Sequence, residues 1–114
     1  MSPLQQNDSE VIILAVTILD VKPGQEVGFE RAFAQAQDTI ASIKGYFYHQ
    51  LQKRLEKDSR YLLLVNWETL EDHTEGFRGS EEYQDRKRLL HHFYDPFPEV
   101  DHYTQTLISS FPPE

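Results

Sequence analysis

Two stretches of this chain are apolar without alternation, Val11-Ile12-Ile13-Leu14-Ala15-Val16-Thr17-Ile18-Leu19 and Tyr61-Leu62-Leu63-Leu64-Val65-Asn66-Trp67. A strand sends successive side chains to opposite faces, so an unbroken apolar run describes a strand whose two faces both lie out of water. Only two stretches of the remaining sequence have helical character. Two helices cover one face of a sheet. The second face needs a layer from elsewhere, and the expectation is a second copy of the same chain.

The rest of the chain falls around these two strands. Residues 1–10 are polar and patternless and read as a tail, followed by a first strand over about 11–21. Lys22-Pro23-Gly24 breaks it, with Pro23 placed for the first turn of a helix over about 24–43. Phe29, Ala32, Phe33, Ala36, Ile40 and Ile43 recur at steps of three and four and form one apolar stripe. Lys44 and Gly45 are a helix-ending pair. A second strand over about 46–55 alternates Tyr46, Tyr48 and Gln50 against Phe47, His49 and Leu51. Glu56-Lys57-Asp58-Ser59 is too short for a crossover, so a hairpin leads into the third strand, about 60–68.

A helical region over about 70–93 follows, broken near Arg78-Gly79-Ser80, with Ser80 as cap of its second part. Tyr83, Arg86 or Lys87, and Leu90 give that part a weak stripe. A last strand spans about 100–107, and 108–114 is an extended tail. The order βαββαβ over about 11–107 is the ferredoxin-like α+β arrangement with a four-stranded antiparallel sheet. Right-handed crossovers put the first and third strands at the centre, where the continuous apolar runs belong.

Composition narrows the partners. The chain has 114 residues and no cysteine, and its 11 basic and 19 acidic side chains leave a net charge of −8. One domain of this length buries roughly two-thirds of its unfolded surface without metal or disulfide staples. The acidic balance makes nucleic acid a poor partner. The clusters Lys53, Arg54, Lys57 and Arg86, Lys87, Arg88 read as solvated faces. A nine-residue apolar run is too short for a bilayer and lacks a preceding basic segment, so a soluble cytoplasmic protein is expected.

Trp67, followed by Leu70-Glu71-Asp72-His73-Thr74-Glu75-Gly76-Phe77-Arg78-Gly79-Ser80-Glu81-Glu82-Tyr83, resembles the antibiotic biosynthesis monooxygenase (ABM) domain family, a group of dimeric α+β barrels. The run from His91 to Tyr103 is similar to an uncharacterised subgroup of that family. The resemblance implies a homodimer formed through the sheet face. It also implies a small monooxygenase that uses O2 on an aromatic, phenolic or quinol-type molecule without flavin, haem or metal. With Ser80 and Tyr83 aligned to the family's Ser-x-x-aromatic step, the position usually held by His falls on Phe77. The nearby imidazole is His73, one turn earlier, so the family role of base passes to His73. The iron-ligand position of the haem-degrading branch falls near Lys87, and a protonated lysine is a poor iron ligand.

The catalytic candidates are therefore His73 as base and Trp67 as pocket wall and N–H donor, with Phe33, Phe77, Tyr83 and Phe29 as lining. Each has a plainer reading. Trp67 and the phenylalanines serve equally as core, and His73 as an exposed side chain between Asp72 and Glu75. Asn66 points away from Trp67. His49 fits a satisfied core or interface histidine. His91, His92, Asp95 and His102 lack the spacing of a metal site, so no metal is expected. Phe93, Tyr94, Phe97 and Tyr103 form a hydrophobic plug that either closes the pocket or extends the dimer contact. A binding module for a small hydrophobic metabolite, with no chemistry, is the alternative to an enzyme.

Overall fold

The computed structural model describes residues 12–110; the expected tail at 1–10 and the last four residues of that at 108–114 lie outside them. Four strands form, β1 (Ile13–Asp20), β2 (Tyr46–Lys53), β3 (Arg60–Trp67) and β4 (Val100–Tyr103), together with helices α1 (Glu26–Ala41) and α2 (Glu81–Leu90). The sheet order is β2-β3-β1-β4, antiparallel throughout, so the two apolar runs occupy the centre. This is the ferredoxin-like arrangement that the pattern predicts.

The helices cover one face only. Ile13, Ala15, Thr17 and Leu19 of β1 and Tyr61, Leu63, Val65 and Trp67 of β3 are buried beneath them. Phe29, Phe33, Ala36 and Ile40 of α1 supply the opposing surface. Each large apolar side chain fully buried here contributes about 1.5–3 kcal/mol. On the other face Leu14, Val16, Leu62 and Leu64 are half-buried and Ile18 is 50% exposed. Tyr48 and Tyr103 flank this apolar strip from the edge strands. Asn66 lies on the same bare face, opposite to Trp67.

Local chemistry shifts several boundaries. Gly24 has φ +84°, which no helix accommodates, so Pro23 and Gly24 form a turn and α1 starts at Glu26. At the far end Gly45 has φ +85°, and a Cβ there would collide with Asp72 Oδ2. Glycine therefore permits both the backbone turn and the close approach of the segment that carries the site. In β2 a bulge between Tyr46 and Tyr48 reverses part of the expected alternation. Tyr46 shares the helix face with His49 and Leu51, and Tyr48 and Gln50 face the bare side. β4 ends at Tyr103 rather than near 107, because its partner edge ends where Ile12 adopts φ 64° and leaves the extended region.

The expected break in the second helical region is present. A π-helical segment runs over Asp72–Phe77, and α2 begins after Ser80, whose Oγ accepts the Tyr83 N–H at 3.2 Å. A short 3-10 turn, His91–Phe93, closes the region.

Candidate active site

The π-helical segment places its side chains by its pitch. Its bonds span five residues, as in Arg78 N–H to His73 C=O at 3.2 Å. His73 and Phe77, four apart, therefore come into register and stack, with ring centroids 6.2 Å apart and planes 23° apart. Both are buried. Trp67 stacks on the other side of His73, with centroids 5.1 Å apart and planes at 14°. The expectation of an exposed His73 is set aside by this packing, although Asp72 and Glu75 flank it in sequence.

These rings wall a cavity of about 400 Å³ between the helices and the sheet. That volume suits a small flat ligand. The floor is Ala15, Thr17, Leu63 and Val65 of the central strands, and Tyr83 and Arg86 of α2 form part of the roof. Of the six candidates, His73, Trp67, Phe77 and Tyr83 line this space. Phe33 and Phe29 do not. They pack under α1, where Phe29 meets Tyr61 at 4.8 Å and Phe33 meets His49 at 5.7 Å. The aromatic plug divides: Tyr94 and Phe97 line the cavity, Phe93 packs on Phe29, and Tyr103 faces the bare side of the sheet. Half-buried His49 is satisfied by the Tyr46 hydroxyl at 2.5 Å.

His73 Nδ1 lies 2.9 Å from His102 Nε2. His102 reaches it because β4 pairs His102 with Ala15, on the helix face of the sheet. Burial, with the charge of Arg78 next and smaller effects of His102 and Arg86, holds His73 down to about 3. It is neutral throughout the physiological range. His102 is lowered too, first by burial and then by Arg78. The Trp67 Nε1 donor and the His91 Nδ1 atom, both at the cavity, are buried and have no hydrogen-bond partner among the described residues.

Arg86 departs most from expectation. It is only 9% exposed, while Lys87 and Arg88 beside it are exposed. The cluster is thus not a uniform solvated face. Arg86 takes the inward position three after Tyr83 and four before Leu90, and its guanidinium carbon lies 5.0 Å from the Phe33 ring centre. Burial lowers its pKa. The helical spacing was a signal for this position, and the alternation of Val100 with His102 was one for His102. A sequence pattern ranks a charged residue low for burial, so both signals were weak. Among the described residues no group of three metal-ligating side chains converges.

A family profile described as antibiotic biosynthesis monooxygenase (ABM) matches residues 12–88. The uncharacterized protein YczJ of Bacillus subtilis (strain 168) is 55% identical over 92 residues, 81% of this chain and 97% of that protein. The crystal structure of a candidate antibiotic biosynthesis monooxygenase from Bordetella bronchiseptica matches with TM-score 0.81 at 31% identity, covering 86% of this chain and 100% of that one. SnoaB, a cofactor-independent oxygenase from Streptomyces nogalater, matches with TM-score 0.66 at 20% identity, covering 90% of this chain and 99% of its own, a likeness of fold alone. The sequence motif, the topology and these matches agree, and the chain belongs to the antibiotic biosynthesis monooxygenase family.

Proposed function

We propose that this protein is a cofactor-independent monooxygenase of a phenolic or quinol-type aromatic substrate, working as a homodimer. The observation that carries the reading is the neutral His73, stacked between Trp67 and Phe77 on the wall of the cavity. Chemistry of this kind needs little machinery. A hydroxyl proton leaves, and the electron-rich anion transfers an electron to O2. The two radicals combine into a peroxide anion at a ring carbon that also bears hydrogen, and the proton taken by the base returns to make it a hydroperoxide. Loss of water from that carbon leaves a carbonyl group, so one oxygen atom enters the product and one leaves as water.

The residues divide this work. His73 on its own is too weakly basic to retain a phenolic proton. Its contact with His102 supplies the remedy. As His73 Nε2 takes the substrate proton, Nδ1–H passes to His102 Nε2, and the proton moves toward the edge strand. The charges of Arg86 and Arg78 favour the anion left behind. The partnerless Trp67 N–H is a donor for the developing oxyanion. Phe77 and Tyr83, whose ring centroids lie 5.2 Å apart edge to face, hold the substrate ring. Phe33 and Phe29 support this from the core; Phe33 does so by backing Arg86.

The sheet face supports the dimer. Leu14, Val16, Ile18, Leu62 and Leu64 form a strip that no helix or strand of the described residues covers, and a second copy presents an identical strip. We take residues 11–107 as the domain. No helix among the described residues is long and apolar enough to cross a membrane, and we place the enzyme in the cytoplasm.

Oxygen uptake tests the reading. Wild type with reduced quinols or anthrone-like phenols should consume O2 well above a His73→Ala, Trp67→Phe double variant. Equal rates would remove it. One observation favours a second reading, a binding module without chemistry: Phe77 stands where the family usually has histidine, and His73 is feebly basic. A hydrophobic ligand retained in native mass spectrometry, with no turnover of any quinol, would select that alternative.

A further inference from the structure

The ligand of this cavity has a feature that an apolar pocket alone does not demand. Arg86 is 9% exposed and lines the cavity. The ion pairs among the described residues are Lys44–Asp72, Lys53–Glu30, Arg60–Asp20 and Arg88–Asp85; none includes Arg86. No side-chain hydrogen bond of the described residues includes it either. The titratable groups that bear on it are the hydroxyls of Tyr94, Tyr46 and Tyr83, with no carboxylate among them. Its close contact is the face of Phe33. Buried guanidinium groups are ordinarily paired with carboxylates, because a bare cation away from water is costly.

The surroundings add to this imbalance. Arg78 stands on the cavity wall, and Glu99, an exposed residue, is the one carboxylate among the lining residues. A chain with a net charge of −8 has thus built a cavity of positive potential. The buried Trp67 Nε1, which only donates, also lacks an acceptor among the described residues. An arginine fork aimed into a cavity matches the two oxygens of a carboxylate.

We infer that the natural ligand is an aromatic acid, whose carboxylate is seated on Arg86 while its ring lies against Trp67, Phe77 and Tyr83. This rests on the reading of the cavity as the substrate site and narrows the substrate class to hydroxyaromatic carboxylates. The carboxylate is a permanent anion, distinct from the hydroxyl that meets His73. Arg86 acts as an anchor that fixes which end of the molecule approaches the imidazole.

Binding calorimetry with 6-hydroxy-2-naphthoic acid and its neutral twin, 6-hydroxy-2-naphthamide, tests the inference without reading turnover. Wild type should bind the acid at least tenfold more tightly than the amide. Arg86→Met should bring the two affinities within about twofold of each other. Arg86→Lys, which keeps the charge, should retain part of the preference. Equal affinities in wild type, no binding of the acid at millimolar concentration, or an intact preference in Arg86→Met would each overturn it. Should Arg86→Met fail to fold, the wild-type ratio and a crystal structure with the 5-bromo acid decide: a carboxylate anywhere but on Arg86 defeats the assignment. Acid preference without oxygen uptake would leave the anchor standing and remove the oxygenase. Oxygen uptake on neutral phenols without acid preference would do the reverse.

Discussion

The burial of His73 makes the protein sensitive to acid, and its contribution can be worked out. In the unfolded chain the imidazole titrates near its usual 6.5, and in the native state near 3. Between those values the unfolded state binds a proton that the native state refuses, so stability rises with pH. The His73 contribution is complete above about pH 6.5, declines as the pH falls, and levels off below about 3. At about pH 5 almost every unfolded molecule and hardly any native molecule carries the proton. The native state is then weaker by about 2 kcal/mol than at about pH 7.5. A loss of that size moves a urea midpoint by roughly 1–2 M for a chain of this length.

The control is His73→Phe, which keeps a ring between Trp67 and Phe77 and removes the titration. His49, His91 and His102 are also lowered and shift stability in the same direction, so the decisive quantity is a difference of differences. Urea unfolding of wild type and His73→Phe at both pH values should show a pH-dependent loss about 2 kcal/mol larger in wild type. The same loss in both proteins would mean that His73 titrates in contact with water, and the neutral-imidazole mechanism would go with it.

Other outcomes follow from the same geometry. Val16→Asp or Leu64→Asp puts a charge on the bare strip, and light scattering at micromolar concentration should report a monomer or an unfolded chain; a dimer that melts like wild type refutes the shared-sheet contact. Arg86→Met removes an unpaired buried cation and keeps the contact with Phe33. In the absence of ligand it should raise stability by about 1 kcal/mol, read by calorimetry; a loss of similar size would point to an internal counter-charge. Gly45→Ala combines a left-handed backbone with a Cβ driven into Asp72, and should cost at least about 2 kcal/mol; a thermal midpoint within a degree of wild type contradicts the need for glycine there.

Much of the architecture was legible because it depends on short-range periodicity. Apolar continuity identified the central strands, the three-and-four spacing identified the buried stripe of α1, and Ser80 marked the start of α2. The exceptions lie where one residue overrides a pattern. Gly24 at positive φ delays α1, the extra residue at Phe47 flips part of β2, and Ile12 at positive φ cuts β4 short. Trp67, Phe77 and Tyr83 were readable as pocket candidates from the motif. Phe29 and Phe33 were not separable from them, because an aromatic stripe looks the same whether it fills a core or faces a space.

The amino-acid order alone determined that a four-stranded sheet would form with its central strands β1 and β3 apolar on both faces, since alternation is a property of the strand itself. Only the tertiary structure decided which charged and titratable groups meet. His73 and His102 are 29 residues apart and come within 2.9 Å because a π-helical turn and an edge strand converge on one face of the sheet. Arg86 has no ion-pair partner among the described residues because the packing of α2 turned it inward, away from the acids that surround it in the sequence. Local pattern sets the backbone, whereas the charge of a cavity is the sum of side chains brought from distant parts of the chain.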